Sequence, residues 1–107
     1  MKRDWLKIEK ALMRTYGLRP QPASGSGDIF KEDGESDKLV AQLKSTEGKS
    51  ISFKKSDFLK LVKHAWESHK RPVFFFNFMS GNESLVLVAV RPFDLSEVAK
   101  EFERLKI

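Results

Sequence analysis

The sequence predicts one domain, residues 1–107, of the α/β (α+β) class, in which helices flank a mixed central β-sheet. Its 107 residues suffice for a single two-layer core. Helical and strand periodicities alternate along the chain, and the strand predicted at 72–78 is apolar on both faces, so other elements must cover it. The predicted element order is αβββαββα.

The first helix is predicted from Asp4, a helix-capping residue, to about Tyr16, with Gly17 as its end. Glu9 falls in the middle of the apolar side, where a core residue is expected. The apolar positions at helical spacing are Trp5, Ile8, Leu12, Met13 and Tyr16.

Two strands are predicted to follow an irregular connection at 19–27, which is rich in Pro, Gly and Ser. The first spans 28–31, a turn contains Asp33 and Gly34, and the antiparallel partner spans 38–45. Alternation places Gln42 and Lys44 on one face of that partner, with Val40. The opposite face carries Leu39, Ala41 and Leu43.

The second half predicts a brief strand at 50–53 and a helix from Lys55 or Ser56 to about Lys70, followed by two strands, 72–78 and 85–90. A closing helix starts at Asp94 or Ser96. The long helix has an apolar side of Phe58, Leu61, Val62, Ala65 and Trp66. The predicted core of the sheet includes Phe74, Phe76, Val86 and Val88.

Composition excludes several classes of protein. The chain has no cysteine, which removes disulfide scaffolds, thiolate nucleophiles and cysteine-ligated zinc. No apolar run suits a signal peptide or a membrane span, so we expect no membrane partner and a cytoplasmic location in a bacterial, archaeal or virus-infected cell.

Charge is unevenly distributed along the chain. The formal net charge is +5, and residues 1–22 and 54–71 each hold six basic and two acidic side chains. Residues 23–37 hold one basic and five acidic side chains. A basic surface around a small acidic site suits a protein that binds a polyanion, although charge alone is more typical of solvated helices.

Two patterns in the sequence are similar to known binding motifs but do not meet their requirements. Gly48-Lys49-Ser50 resembles the end of a phosphate-binding loop, but Leu43 stands where its first glycine belongs. His64 and His69 are five residues apart, which separates their directions on a helix, so one zinc ion is not expected to bind both. We expect His69 to be half buried.

Four polar residues form the pattern that most strongly indicates a catalytic site. They are Glu9 on the first helix, Asp28 at the start of a strand, and Gln42 and Lys44 on one face of the next strand. Oxygen ligands suit Mg²⁺, and a lysine beside them can stabilise charge on a phosphate. Taken singly, each residue also suits a surface or capping role.

The chain resembles the PD-(D/E)xK nuclease superfamily in three consecutive elements. These are the helix with Glu9, the segment Gly-Ser-Gly-Asp28-Ile-Phe, and the segment Leu-Val-Ala-Gln42-Leu-Lys44-Ser. The chain is most similar to the archaeal-type Holliday junction resolvases over residues 3 to 92. The resemblance implies a restriction-endonuclease-like core and a homodimer that nicks four-way DNA junctions with Mg²⁺, which Mn²⁺ can replace. It also implies 5′-phosphate and 3′-hydroxyl products.

The resemblance further implies residue roles. Glu9, Asp28 and Gln42 would bind the metal, with Leu43 beside them, and Lys44 would be the catalytic lysine. Ser24 or Ser26 would match a serine of the preceding loop. Gln42 stands where the family usually has glutamate, which removes one negative charge and predicts weaker metal binding or an inactive site.

Contacts with DNA are expected from basic residues that bind phosphates without reading bases. A non-catalytic nucleic-acid-binding protein and a nickase or flap-type endonuclease remain alternatives. A dimer contact is expected through the strand at 72–78 or the long helix. The candidate phosphate contacts are Lys2, Arg3, Lys7, Lys10, Arg14, Lys54, Lys55, Lys60 and Lys63.

Overall fold

A computed structural model describes residues 4–21 and 33–105. The helices are α1 (Trp5–Thr15), α2 (Lys55–Glu67) and α3 (Leu95–Leu105), and a 3₁₀ turn at Pro92–Asp94 precedes α3. The strands are β1 (Arg19–Pro20), β2 (Gly34–Glu35), β3 (Leu39–Thr46), β4 (Arg71–Ser80) and β5 (Glu83–Ala89). The α+β class, with a mixed sheet flanked by helices, is confirmed. The described elements also run αβββαββα, but of the three strands predicted before α2 only the one at 38–45 is among them.

The five strands form one mixed sheet in the order β1-β2-β3-β4-β5. Only β3 and β4 are parallel, and they pair from Leu39 with Arg71 to Thr46 with Phe78. Parallel neighbours need a crossover connection, which α2 supplies. No helix of the described ranges is long and apolar enough to span a membrane.

Alternation along β3 and β4 divides the core into two layers. One layer joins α1 and α3 to the sheet, and the other joins α2 to the opposite face. The buried members of the first are Met13, Leu18, Leu39, Ala41, Leu43, Val73, Phe75 and Val98. Those of the second are Val40, Leu61, Ala65 and Phe74.

The first helix follows its sequence signals. The Asp4 carboxylate accepts a hydrogen bond from the main-chain N–H of Lys7 at 3.1 Å, and Gly17 ends the turn with φ 77°. Met13, on the side of α1 that faces the sheet, is fully buried. The helix lies so close to β2 that a Cβ added at Gly34 would stand 2.5 Å from the Met13 sulfur.

The two strands that precede β3 differ from the one predicted there. The predicted strand at 28–31 lies outside the described residues. Gly34 belongs to β2 rather than to a turn, because the chain reverses after Ser36, whose hydroxyl accepts hydrogen bonds from Lys38 and Leu39. The connection predicted as irregular contributes the short strand β1 at its start.

Residues 50–54 are irregular, so the strand predicted at 50–53 is wrong. The apolar side chain of Phe53 in this segment packs on the sheet instead of forming a strand. The Phe53 ring packs 4.9 Å from the ring of Phe74 and 5.1 Å from that of Phe76, between centroids. The segment therefore covers the sheet by side-chain packing without joining it.

Three predictions of burial are wrong. Trp66 is 79% exposed and Val88 is 45% exposed, because α2 packs over β3 and β4 while β5 is an edge strand. His69 is also exposed. It lies beyond the end of α2 at Glu67, where the chain turns with φ 58°.

Buried charges join α3 and its preceding turn to the sheet. The Asp94 carboxylate is fully buried and accepts hydrogen bonds from Arg71 at 2.7 Å and Arg91 at 2.6 Å. Glu101 is 2% exposed and accepts hydrogen bonds from Ser36 and Arg104. These bonds lower the pKa of Glu101, with the Arg104 hydrogen bond as the largest cause.

Gly17→Ala tests the close approach between the end of α1 and α3. The added Cβ would stand 2.6 Å from the Cβ of Leu105 in a left-handed conformation, so we expect a loss of about 2–3 kcal/mol in the free energy of unfolding. Gly81→Ala is the matched control, because its φ of 62° is similar but nothing lies within 4 Å. It should lose only about 1 kcal/mol. Equal losses in urea denaturation would contradict this packing.

Candidate metal centre

Glu9 lies on the side of α1 that faces the sheet and is half buried. It approaches Ser45, near the C-terminal end of β3, and the carboxylate of Asp33, which immediately precedes β2. Two acidic groups twenty-four positions apart in the chain therefore lie near enough for their charges to interact.

Hydrogen bonds to β3 hold Asp33 in place. Its Oδ2 accepts a bond from the main-chain N–H of Leu43 at 2.7 Å. Its own main-chain N–H donates to the carbonyl oxygen of Ala41 at 2.8 Å. The carboxylate is thereby oriented by the backbone of a central strand, which gives it less freedom than a side chain in a turn has.

The environment raises the pKa of Glu9 to about 7. Burial is the largest cause, because it disfavours the charged form, and the negative charge of Asp33 adds to it. The hydroxyl of Ser45 acts in the opposite direction. A cation beside the two carboxylates would favour the charged form of Glu9 and so oppose both of the effects that raise this pKa.

Asn77 adds an amide to the same face of the sheet. It pairs in register with Ser45 on the neighbouring parallel strand, so the two side chains point the same way. Asn77 is 1% exposed, and neither its Oδ1 nor its Nδ2 has a hydrogen-bond partner among the described residues. A buried amide left in this state costs about 1–3 kcal/mol.

We call Glu9, Asp33, Ser45 and Asn77 the carboxylate cluster. Two carboxylates, an amide oxygen and a hydroxyl are the hard oxygen donors that Mg²⁺ and Mn²⁺ prefer, and the unpartnered amide oxygen is available to such an ion. The cluster has two acids only, and nowhere in 4–21 and 33–105 do three acidic, His or Cys residues gather at a site able to hold a metal. The donor types nonetheless fit a divalent cation.

Gln42 and Lys44 lie on the opposite face of the sheet. The Lys44 Nζ donates to Asp57 Oδ2 at 2.9 Å and to the carbonyl oxygen of Ser52 at 2.8 Å, beside α2. The Lys44 hydrogen bond is the largest cause that lowers the pKa of Asp57. Gln42 is level with Phe74 in the α2 layer.

The prediction that Glu9, Gln42 and Lys44 share one spot is therefore wrong. Sequence alternation correctly placed Gln42 and Lys44 together, but α1 packs on the other face. Leu43 fills the α1 layer with its side chain, and its main-chain N–H binds Asp33. The remaining predicted site residues, Asp28, Ser24 and Ser26, lie outside the described residues.

The predicted phosphate contacts are divided between the two helices. Lys7 and Arg14 are exposed on α1, where Lys10 is half buried, whereas Lys54, Lys55, Lys60 and Lys63 are exposed at the start or along the length of α2. Lys2 and Arg3 are outside the described residues. Since α1 and α2 cover opposite faces of the sheet, these side chains form two basic surfaces rather than one.

Sequence reasoning missed Asp33 and Asn77. Asp33 precedes a glycine, a pair typical of turns, and this concealed its contact with β3. Asn77 had a clearer signal, because it is the single polar residue within the run Val73–Met79. A lone amide in the middle of a buried aromatic strand indicates a polar function at that point.

No family model, curated protein or solved structure matches this chain. Function is therefore inferred from the geometry and chemistry of its own residues.

Glu9→Gln should change how stability depends on pH. Because the folded-state pKa of Glu9 is about 7, above its usual value of 4.5, the folded protein binds the proton more tightly than the unfolded chain does. Stability is then lost as pH rises from about 4.5 to about 7. We expect the glutamine variant to be about 1–2 kcal/mol more stable than the wild type at pH 8, after allowance for solvent screening.

The measurement is thermal unfolding of both proteins at pH 4 and pH 8, where the difference should be small at pH 4. Glu103→Gln, an exposed change on α3, is the control and should shift neither curve. A gain of equal size at both pH values would mean that the charge of Glu9 is not the cause.

Proposed function

We propose that this protein is a divalent-cation-dependent endonuclease that hydrolyses DNA phosphodiesters, with the carboxylate cluster as its metal centre. The observation that carries the proposal is the buried, unpartnered amide of Asn77 on the α1 face, where the charges of Glu9 and Asp33 also interact. The four-way DNA junction as substrate comes from the sequence resemblance alone, because the Gln42 and Lys44 of that motif lie on the face opposite Glu9.

Each residue of the cluster has a distinct task in this proposal. Asp33, oriented by the N–H of Leu43, and Glu9 would hold the cation, and the Oδ1 of Asn77 would be a neutral ligand. A bound Mg²⁺ supplies a water of lowered pKa and neutralises charge on the phosphate. The pKa of about 7 applies to Glu9 without a cation, and a cation bound by Glu9 would lower it.

The formal net charge of +5 supports a polyanionic substrate, and the exposed lysines of α1 and α2 supply phosphate contacts. Symmetric nicking of two strands requires two centres related by a two-fold axis, so a homodimer belongs to the proposal. Its predicted contact through residues 72–78 is wrong, because β4 is paired on both edges and buried from Pro72 to Phe75. The other predicted contact, α2, remains the candidate through exposed residues other than Leu59, Lys63 and Trp66.

A specific observation favours a second candidate, a non-catalytic nucleic-acid-binding protein. Lys44, the predicted catalytic lysine, is engaged by Asp57 and Ser52 on the face opposite Glu9. A protein that binds DNA without cutting it has no need of a lysine near the acids. Binding and cutting must therefore be measured separately.

The decisive experiment incubates the purified protein with four-way junction, flap and duplex DNA in Mg²⁺ or Mn²⁺. We expect metal-dependent cutting of the junction, reduced by at least about 100-fold in Asp33→Asn and in Glu9→Gln, because both remove a charged ligand. Glu103→Gln is the control and should cut normally. Lys44→Gln should retain cutting, since its Nζ lies on the other face.

Junction binding is measured in parallel with EDTA present. Cutting that survives Asp33→Asn and Glu9→Gln but is lost in Lys44→Gln would move the active centre to the α2 face and contradict the proposal. No cutting of any substrate, combined with junction binding, would establish the binding protein instead.

A further inference from the structure

An exposed groove lies between α2 and the segment that follows β5. Its volume is about 600 Å³. Leu59, Val62 and Trp66 line it from α2. Arg91, which precedes the 3₁₀ turn, and Phe93, which belongs to it, line the other side. We call these five residues, with Lys63 and Arg71, the aromatic groove.

Two aromatic rings in the groove are open to water. Trp66 is 79% exposed and Phe93 is 69% exposed, although large aromatic side chains usually lie in a core. The guanidinium carbon of Arg91 lies 4.4 Å from the centroid of the Phe93 ring. The groove thus presents the exposed indole of Trp66 and the phenyl ring of Phe93, which Arg91 contacts on one side. Both rings are able to stack against another flat ring.

The charges of the groove are mainly positive. Lys63, Lys70, Arg71 and Arg91 line it. Arg71 and Arg91 share the single carboxylate of Asp94, which leaves one positive charge uncompensated within that group. Lys63 is exposed on α2 beside Trp66.

Aromatic rings beside cations favour one class of ligand. Unpaired nucleotides combine flat bases, which stack on Trp, Phe and Arg, with phosphates that bind Lys and Arg. A second copy of the chain would bring like charges together if the two grooves met. A duplex presents its bases stacked inside and cannot use the exposed rings.

We propose that the aromatic groove binds unpaired nucleotides of DNA, with bases stacked on Trp66 and Phe93 and phosphates bound by Lys63 and Arg71. The inference rests on the proposed nucleic-acid function and refines its substrate class. Arg71 begins β4, whereas Asn77 lies six residues further along the strand, about 20 Å away. The groove therefore holds a part of the DNA other than the one at the carboxylate cluster.

The test measures fluorescence anisotropy of a labelled oligothymidylate of about 15 nucleotides and of a duplex of equal length, with EDTA present to prevent cutting. We expect Trp66→Ala and Phe93→Ala each to weaken binding of the single strand about tenfold, and Trp66→Phe to keep it. Duplex binding should change little. Leu6→Ala, an exposed apolar change on α1, is the control.

Lys63→Gln is compared with Lys100→Gln, which changes an exposed lysine on α3 that does not line the groove. Only the change at Lys63 should lower the salt dependence of single-strand binding. In a Trp5→Phe background, Trp66 is the only tryptophan, and its emission should be quenched as the oligothymidylate binds.

Unchanged affinity in Trp66→Ala and Phe93→Ala, or the absence of quenching, would overturn the inference. So would a dimer in sedimentation that Trp66→Ala abolishes while oligothymidylate affinity stays the same, because the groove would then bind a second copy. If the groove variants lose binding but no substrate is ever cut, the nuclease proposal fails and the groove stands.

Discussion

The parallel pairing of β3 with β4 is the constraint on which the rest of this structure depends. Eight residues of β3 pair with β4, and both strands are covered on both faces through most of their length. A shift of one residue would exchange the two faces of a strand. It would move Leu39, Ala41 and Leu43 out of the layer that α1 and α3 cover.

The same alternation separates the polar residues of β3. Ser45 points toward α1, where Glu9, Asp33 and Asn77 add their side chains, and Lys44 points toward α2, where Asp57 engages it. The carboxylate cluster opposes folding, because it buries an acid beside another acid and leaves an amide unpartnered within the described residues. Such local cost is typical of a functional site in an otherwise consistent fold.

The α2 helix has two apolar sides with different surroundings. Leu61 and Ala65 are buried against the sheet, whereas Leu59 and Trp66 face the groove. A helix that only covered a sheet would need the first side alone. The second side, with the cations around it, is the reason to assign α2 a binding surface as well as a structural role.

Local signals in the sequence determined the helices and the two long strands at the C-terminal half. Asp4 and Gly17 bound α1, the apolar run at 72–78 lies within β4, and the run at 85–90 overlaps β5 as far as Ala89. Caps, turns and periodicity act between neighbours in the chain, so these signals are local. The mixed sheet with flanking helices followed from the same patterns.

Only the tertiary structure decided which helix covers which face. Periodicity shows that Gln42 and Lys44 share a face, but not that α2 rather than α1 packs on it, since that depends on the path of the chain between elements. For the same reason Trp66 looked like a core residue and Asp33 like part of a turn. Burial and contact arise between segments distant in sequence, so a local pattern identifies the side of an element and leaves its partner undetermined.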